Sequence, residues 1–122
     1  MKILYVEDNE DNVYMLSRRL KRKGFEVIIA ENGKIGVELC LKELPDLILM
    51  DLSLPVMDGW QAIKIIKNDP SIKKIPIIAL SAHAMDQHKQ QALDAGADDF
   101  DSKPIDLTRL MSKITYFVGE IK

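Results

Sequence analysis

Leu47-Ile48-Leu49-Met50-Asp51-Leu52-Ser53-Leu54-Pro55 is the stretch whose reading decides the fold. Between Pro45 and Pro55 the apolar run is nearly continuous, as in a strand buried on both faces of a parallel sheet, and it reaches a carboxylate at Asp51. In open α/β sheets ligands bind beyond the carboxyl ends of the strands, so an acid emerging there faces a functional crevice rather than the core. Taken alone, Asp51 reads more readily as a turn starter or helix cap. The rest of the chain has to decide.

Toward the N-terminus, residues 2 to 6 form a short β-type run, followed by the polar loop Glu7-Asp8-Asn9-Glu10-Asp11-Asn12 with several candidate helix caps. Val13, Leu16 and Leu20 recur at helical spacing, and Arg18, Arg19, Lys21, Arg22 and Lys23 load the last turns with cations before Gly24, as the helix dipole favours. Phe25 to Ile29 reads as a second strand and Asn32-Gly33 as a turn. Ile35, Leu39 and Leu41 to Leu44 then mark a second helix ending at Pro45.

Toward the C-terminus, Asp58-Gly59 opens a helix with Ala62, Ile65 and Ile66 on its inner stripe, stopped by Asn68-Asp69-Pro70. Ile75 to Leu80 is a fourth strand ending on Ser81. Ala82 to Ala95 follows as a weakly amphipathic helix closed by Gly96, then a short strand at Asp99 to Ser102 leads into Lys103-Pro104. Leu107, Leu110, Met111, Ile114 and Phe117 mark a last helix. Five strands alternating with five helices through short connections predict right-handed crossovers and a doubly wound α/β fold, its parallel sheet covered on both faces.

The 122 residues suit one domain, 1–122, rather than two. With 17 basic against 19 acidic residues and a net charge of -2, the chain offers no electrostatic footprint for nucleic acid and no polybasic membrane patch. Its apolar runs fall short of a membrane span, and the N-terminus reaches Glu7-Asp8 too early for a secretory signal, so the expected compartment is cytoplasmic. The lone Cys40 suits a reducing setting and reads as a small core side chain.

Parallel strands bring their C-terminal ends to one edge. Glu7 and Asp8, Asp51, Ser81 and Lys103 therefore converge, although they are spread over most of the chain. Two carboxylates about 5 Å apart repel by roughly 3 kcal/mol at an effective dielectric near 20, so three converging acids call for a counter-charge. Hard oxygen ligands without His or Cys favour magnesium over zinc, and magnesium commonly shares its shell with phosphate oxygens. An Asp carboxylate can accept a phosphoryl group covalently, with an ammonium and a hydroxyl steadying the phosphoryl oxygens.

At these residues the chain resembles a response-regulator receiver domain, of the kind found in chemotaxis and single-domain cell-division regulators. The resemblance rests on Val6-Glu7-Asp8-Asn9, Asp51-Leu52-Ser53-Leu54-Pro55-Val56-Met57-Asp58-Gly59, Leu80-Ser81-Ala82, Ala95-Gly96-Ala97 and Lys103-Pro104, and covers essentially the whole sequence. It implies a flavodoxin-like sheet of order 2-1-3-4-5. It implies Asp51 as phosphoryl acceptor, magnesium (with manganese as a substitute) on Asp8, Asp51 and the Ser53 backbone carbonyl, and Glu7 acting through water. Ser81 and Lys103 would contact the phosphoryl group, and the Lys103-Pro104 bond would be cis. Phe100 falls at the family's aromatic switch position, where a buried structural ring is the competing reading. Ser53 and His83 occupy the positions that tune hydrolysis of the acyl phosphate. Residues around Asp11 to Val13 and Ile105 to Leu107 would border the surface that receives the phosphoryl donor.

The implied function is a two-component phosphorelay switch. A histidine kinase or histidine phosphotransfer protein donates to Asp51, and the surface formed by the fourth helix, fifth strand and fifth helix engages a downstream protein. No enzymatic activity is expected beyond its own phosphorylation and slow autodephosphorylation. The alternative is a magnesium-dependent phosphohydrolase with an Asp nucleophile. Haloacid-dehalogenase-like enzymes of that kind usually carry a second Asp two residues on, where this chain has Ser53. His83 and His88, five residues apart, read as surface residues rather than a metal pair, and Trp60 as packing or partly exposed.

Overall fold

A strand buried on both faces needs a parallel neighbour on each edge, and β3 (Leu47–Asp51), all five residues of which are buried, has them in β1 (Lys2–Val6) and β4 (Ile77–Ser81). β2 (Glu26–Ala30) and β5 (Asp99–Ser102) complete a parallel sheet of order β2-β1-β3-β4-β5. The computed structural model describes residues 1–82 and 86–119, with the backbone alone at 86–88. Between the strands run α1 (Glu10–Arg22), α2 (Gly33–Glu43), α3 (Gly59–Asn68) and α4 (Asp86–Ala95), and α5 (Leu107–Val118) closes the chain's described part. None of the described helices is long and apolar enough to cross a membrane.

Alternation along each strand splits the core in two. Leu4, Val6, Ile48, Met50, Ile77 and Phe100 meet Cys40 of α2, Ala62, Ile63 and Ile66 of α3, and Ala92 of α4. On the other face Ile3, Tyr5, Leu47, Leu49, Ile78 and Leu80 meet Leu16 and Leu20 of α1 and Leu110 and Ile114 of α5. Each fully buried aliphatic side chain contributes roughly 1.5–3 kcal/mol. Burial pushes the Cys40 thiol up to about 11, with the Asp69 charge adding to the shift, which fits a packing role.

Among the described residues, four helices start on an Asn or Asp whose side chain accepts a backbone N–H inside the first turn: Asn9, Asn32, Asp58 and Asp106. Such caps contribute about 1 kcal/mol each and fix where the loops above the sheet end. Gly59 lets α3 begin hard against β3, since a Cβ there would lie 2.2 Å from the Asp51 carbonyl oxygen.

Local details depart from the sequence reading. β2 starts at Glu26 rather than Phe25, because Phe25 N–H donates to the Leu20 carbonyl and belongs to the turn closing α1. β4 starts at Ile77 rather than Ile75: the Ile75 N–H turns back to Ile72, and Pro76 has no N–H for the ladder. α2 buries Gly36 and Cys40, whereas Leu41 and Leu44 are exposed; Leu44 ends the helix in a left-handed conformation (φ 47°). The inner stripe of α3 is Ala62, Ile63 and Ile66, with Ile65 exposed. The described part of α4 starts at Asp86 rather than Ala82, and residues 83–85 lie outside the described residues.

Candidate functional site

The C-terminal ends of β1, β3 and β5 place three charged side chains in contact. Lys103, just after β5, donates from Nζ to Glu7 Oε1 at 2.6 Å and to Asp51 Oδ2 at 3.0 Å. The strand register explains the meeting: Val6 lies beside Met50, Asp51 beside Leu80 and Ser81 beside Ser102, so the residues at these ends share one rim. The Lys103 N–H also donates to the Ser81 carbonyl at 2.8 Å, which ties the lysine's backbone to the end of β4. Ser81 itself is buried. The Lys103–Pro104 peptide bond is cis.

Glu7 and Asp51 are both nearly inaccessible, at 1% and 4% exposure, whereas Asp8 is exposed. Asp51 Oδ1 accepts the Ser53 N–H at 3.1 Å. Glu7 is held more extensively. Its Oε2 accepts the N–H groups of Asp8 and Asn9, and its Oε1 accepts the Asn12 side-chain amide at 3.2 Å and the Tyr5 hydroxyl at 3.4 Å besides Lys103. The cap at Asn9 places Asn12 for this, because Asn9 Oδ1 accepts the Asn12 backbone N–H.

Burial first, and then the adjacent Asp51 carboxylate, hold the Glu7 carboxyl above its ordinary value; Lys103 offsets this only in part. Burial opposes charge on Lys103 as well, yet its hydrogen bonds and attractions to Glu7 and Asp51 outweigh that and hold the ammonium above its ordinary value. One cation is thus shared between two buried acids, and with Asp8 beside them the cluster has more negative than positive charge. Burial, followed by the Glu7 and Asp51 charges, drives the Tyr5 phenol far upward, so that it remains a hydroxyl donor.

Glu7, Asp8 and Asp51 each offer a carboxylate oxygen, all within 4.8 Å of one another. An all-oxygen set with surplus negative charge and one exposed member fits a hard divalent cation. Ser53 is exposed, two residues past Asp51. Phe100 is buried at 7% exposure among the side chains on the α3 and α4 face. Of the residues expected to tune hydrolysis, His83 lies outside the described residues; the side chain of His88, expected at the surface, lies outside them too. Trp60 is half-buried against the core.

The sequence reading missed Tyr5 and Asn12, whose neutral side chains donate to Glu7 Oε1. Period-two parity along β1 puts Tyr5 on the same side as Glu7 and was the available signal for it. Next to the site, Tyr5, Asn12, Met15, Arg19, Lys103 and Ile105 line a groove of about 280 Å³ between α1 and the segment after β5. Tyr14 and Met15 are exposed on α1 beside it, and the Arg18 guanidinium lies over the Tyr14 ring, 5.1 Å from its centroid.

Against this geometry, the family model described as "Response regulator receiver domain" matches residues 3–115. Polar-differentiation response regulator DivK of Brucella anthropi is 34% identical over 118 residues, spanning 97% of this chain and 96% of the relative. The receiver domain of a sensor histidine kinase from Pseudomonas aeruginosa, with magnesium ion coordinated in the active site cleft, superposes with a TM-score of 0.90 at 33% identity, covering 98% of both chains. The receiver domain of Ssk1, co-crystallised with the Saccharomyces cerevisiae histidine phosphotransfer protein Ypd1, belongs to a solved complex that matches with a TM-score of 0.91 at 31% identity, covering 97% of this chain and 88% of that one.

Proposed function

The chain belongs to the response regulator receiver family of two-component signalling, and from that membership we propose that Asp51 is its phosphoryl acceptor and residues 1–122 one receiver unit. The observation that carries the assignment is the Lys103 ammonium bonded at once to Asp51 and Glu7, beside an acid cluster able to hold a cation. Asp8, Asp51 and the Ser53 carbonyl would hold magnesium, or manganese with the same preference for hard oxygen ligands, with Glu7 acting through water. When bound, the ion would offset charge on the carboxylates and on the incoming phosphoryl oxygens.

An Asp51 oxygen attacks phosphorus, the bond from phosphorus to the donor's imidazole nitrogen breaks, and the nitrogen keeps the electron pair. Asp51 is oriented for this by the Ser53 N–H on one oxygen and Lys103 on the other. Lys103 then transfers its donation to a phosphoryl oxygen, and Ser81 supplies a second hydrogen bond. Because Lys103 N–H is tied to the Ser81 carbonyl, movement at either residue reaches both β4 and β5. Phe100, opposite Ala79 in the β4–β5 register, is the ring that would report this movement to the α4-β5-α5 surface, where a downstream protein would dock.

A histidine kinase or histidine phosphotransfer protein is the donor in this reading. The groove beside α1, with Met15, Arg19 and Ile105 next to Lys103, supplies an apolar and basic surface for it. The protein's own chemistry is confined to phosphorylation and slow autodephosphorylation, the latter tuned at Ser53 and His83. Incubation with magnesium and acetyl phosphate, followed by intact mass and peptide mapping, should give one labile phosphoryl adduct on Asp51. Steady turnover of varied phosphate esters, or an adduct elsewhere, would overturn the assignment.

A further inference from the structure

Tyr5 is the feature of the site that the acceptor chemistry leaves unused. Its ring belongs to the core under α1 and α5, packed with Leu16, Leu49 and their neighbours, and only 1% of the residue is exposed. A phenylalanine would fill that space equally well. The hydroxyl is instead directed to Glu7 Oε1, the same oxygen that accepts Lys103 and the Asn12 amide.

We propose that Tyr5 is a positioning residue for Glu7, keeping its carboxylate oriented toward the cation site whether or not Lys103 is bound to it. The proposal rests on the receiver reading above, in which Lys103 leaves the carboxylates for the phosphoryl group. At that step Glu7 Oε1 loses its shortest donor, at 2.6 Å, while the residue stays almost wholly buried, at 1% exposure. A buried acceptor stripped of its donor is costly. Tyr5 from below and Asn12 from α1 are the neutral donors already in place on that oxygen, and neither is needed by the phosphoryl group. Groups that orient metal-site ligands from behind commonly govern affinity as much as the ligands do.

The test is magnesium binding by isothermal titration calorimetry on the parent, Tyr5→Phe, Glu7→Gln and the double variant, at neutral pH without phosphodonor. Tyr5→Phe keeps the ring and should weaken magnesium binding about three- to tenfold, less than the 10–100-fold typical of a direct outer-shell partner because the bond is long. In the Glu7→Gln background the same change should alter affinity less than twofold, since double-mutant cycles isolate the shared interaction. Equal affinity of Tyr5→Phe and the parent overturns the proposal, and so does a loss that persists undiminished without Glu7, which would mean a packing effect. A parent that binds no magnesium overturns the cation reading itself, a result distinct from either of these.

Discussion

Two clusters of buried acid flank β5, and they are built oppositely. At its C-terminal end Glu7 and Asp51 share the single ammonium of Lys103. On the strand's α5 side one buried carboxylate, Asp101, meets Arg109 Nε at 2.7 Å and Lys113 at 3.9 Å, with its own Oδ1 also accepting the Ser102 N–H. Arg109 further donates to the Ser102 carbonyl, and Lys113 to the Phe100 carbonyl. The α5 cluster thus has two cations for one buried acid, all of its contacts falling on Asp101 Oδ1, while the buried Oδ2 has no hydrogen-bond partner among the described residues. The rim cluster is short of positive charge, so an arriving cation has something to gain there.

Among the described residues, the non-glycine positions with left-handed backbone are Leu44, at the end of α2, and Val56. Val56 sits in the β3–α3 loop at φ 66°, bracketed by a 2.7 Å bond from the Met57 N–H to the Pro55 carbonyl. A β-branched residue there is strained.

The largest effect that separates the clusters is chemical. Asp51→Asn should abolish the acetyl phosphate adduct in intact mass, whereas Arg109→Ala should leave it in place; loss of the adduct in both would dissolve the distinction. Next in size is Lys103→Met, which leaves two buried carboxylates without their cation and should cost about 3 kcal/mol in denaturant unfolding without metal. Added magnesium should recover much of that loss. Arg109→Ala should cost about 2 kcal/mol, less than a fully buried pair because the arginine is half-exposed, and magnesium should not alter the figure.

Smaller effects probe the imbalance itself. With the Glu7 carboxyl held above its ordinary value, the folded state binds that proton more tightly than the unfolded chain does. Stability from this group therefore falls as pH rises from about 4.5 through the folded value, and the cost is fully present above it. Without metal, Glu7→Gln should raise stability at pH ~7.5 and lose that advantage as the pH drops toward the ordinary glutamate range. Unfolding curves of parent and variant at several pH values check this, and a constant difference would mean that Glu7 is not the titrating group. Val56→Gly should relieve the left-handed strain and raise stability by up to about 1 kcal/mol, measured by thermal unfolding.

Much of the rim was legible in the residues because strand ends are marked twice, by where an apolar run stops and by which polar residue follows. Asp51 and Ser81 follow that rule, whereas Lys103 follows the polar strand Asp99-Phe100-Asp101-Ser102 and was reached through the alternation of elements. Helix faces were harder to read. Ile65 and Leu41 are apolar and lie within helices, yet both face outward, because a stripe around a cylinder can be assigned only when its width and starting angle are known. The α5 cluster was missed for a related reason: Asp101 reads as one more charge on a short polar strand until β4 and α5 enclose it.

The linear order of residues determined the alternation of strands and helices, the parallel sheet, and which chemical groups would arrive at one edge, since these follow from periodicity and from where the chain turns. Only the tertiary structure decided how those groups share charge: that Lys103 bridges two acids, that Glu7 is buried and braced by Tyr5 and Asn12, and that Asp101 is closed off by α5. The physical reason is that periodicity is a local property of the backbone, whereas the strength of a charge depends on distances and solvent access set by elements far apart in the chain.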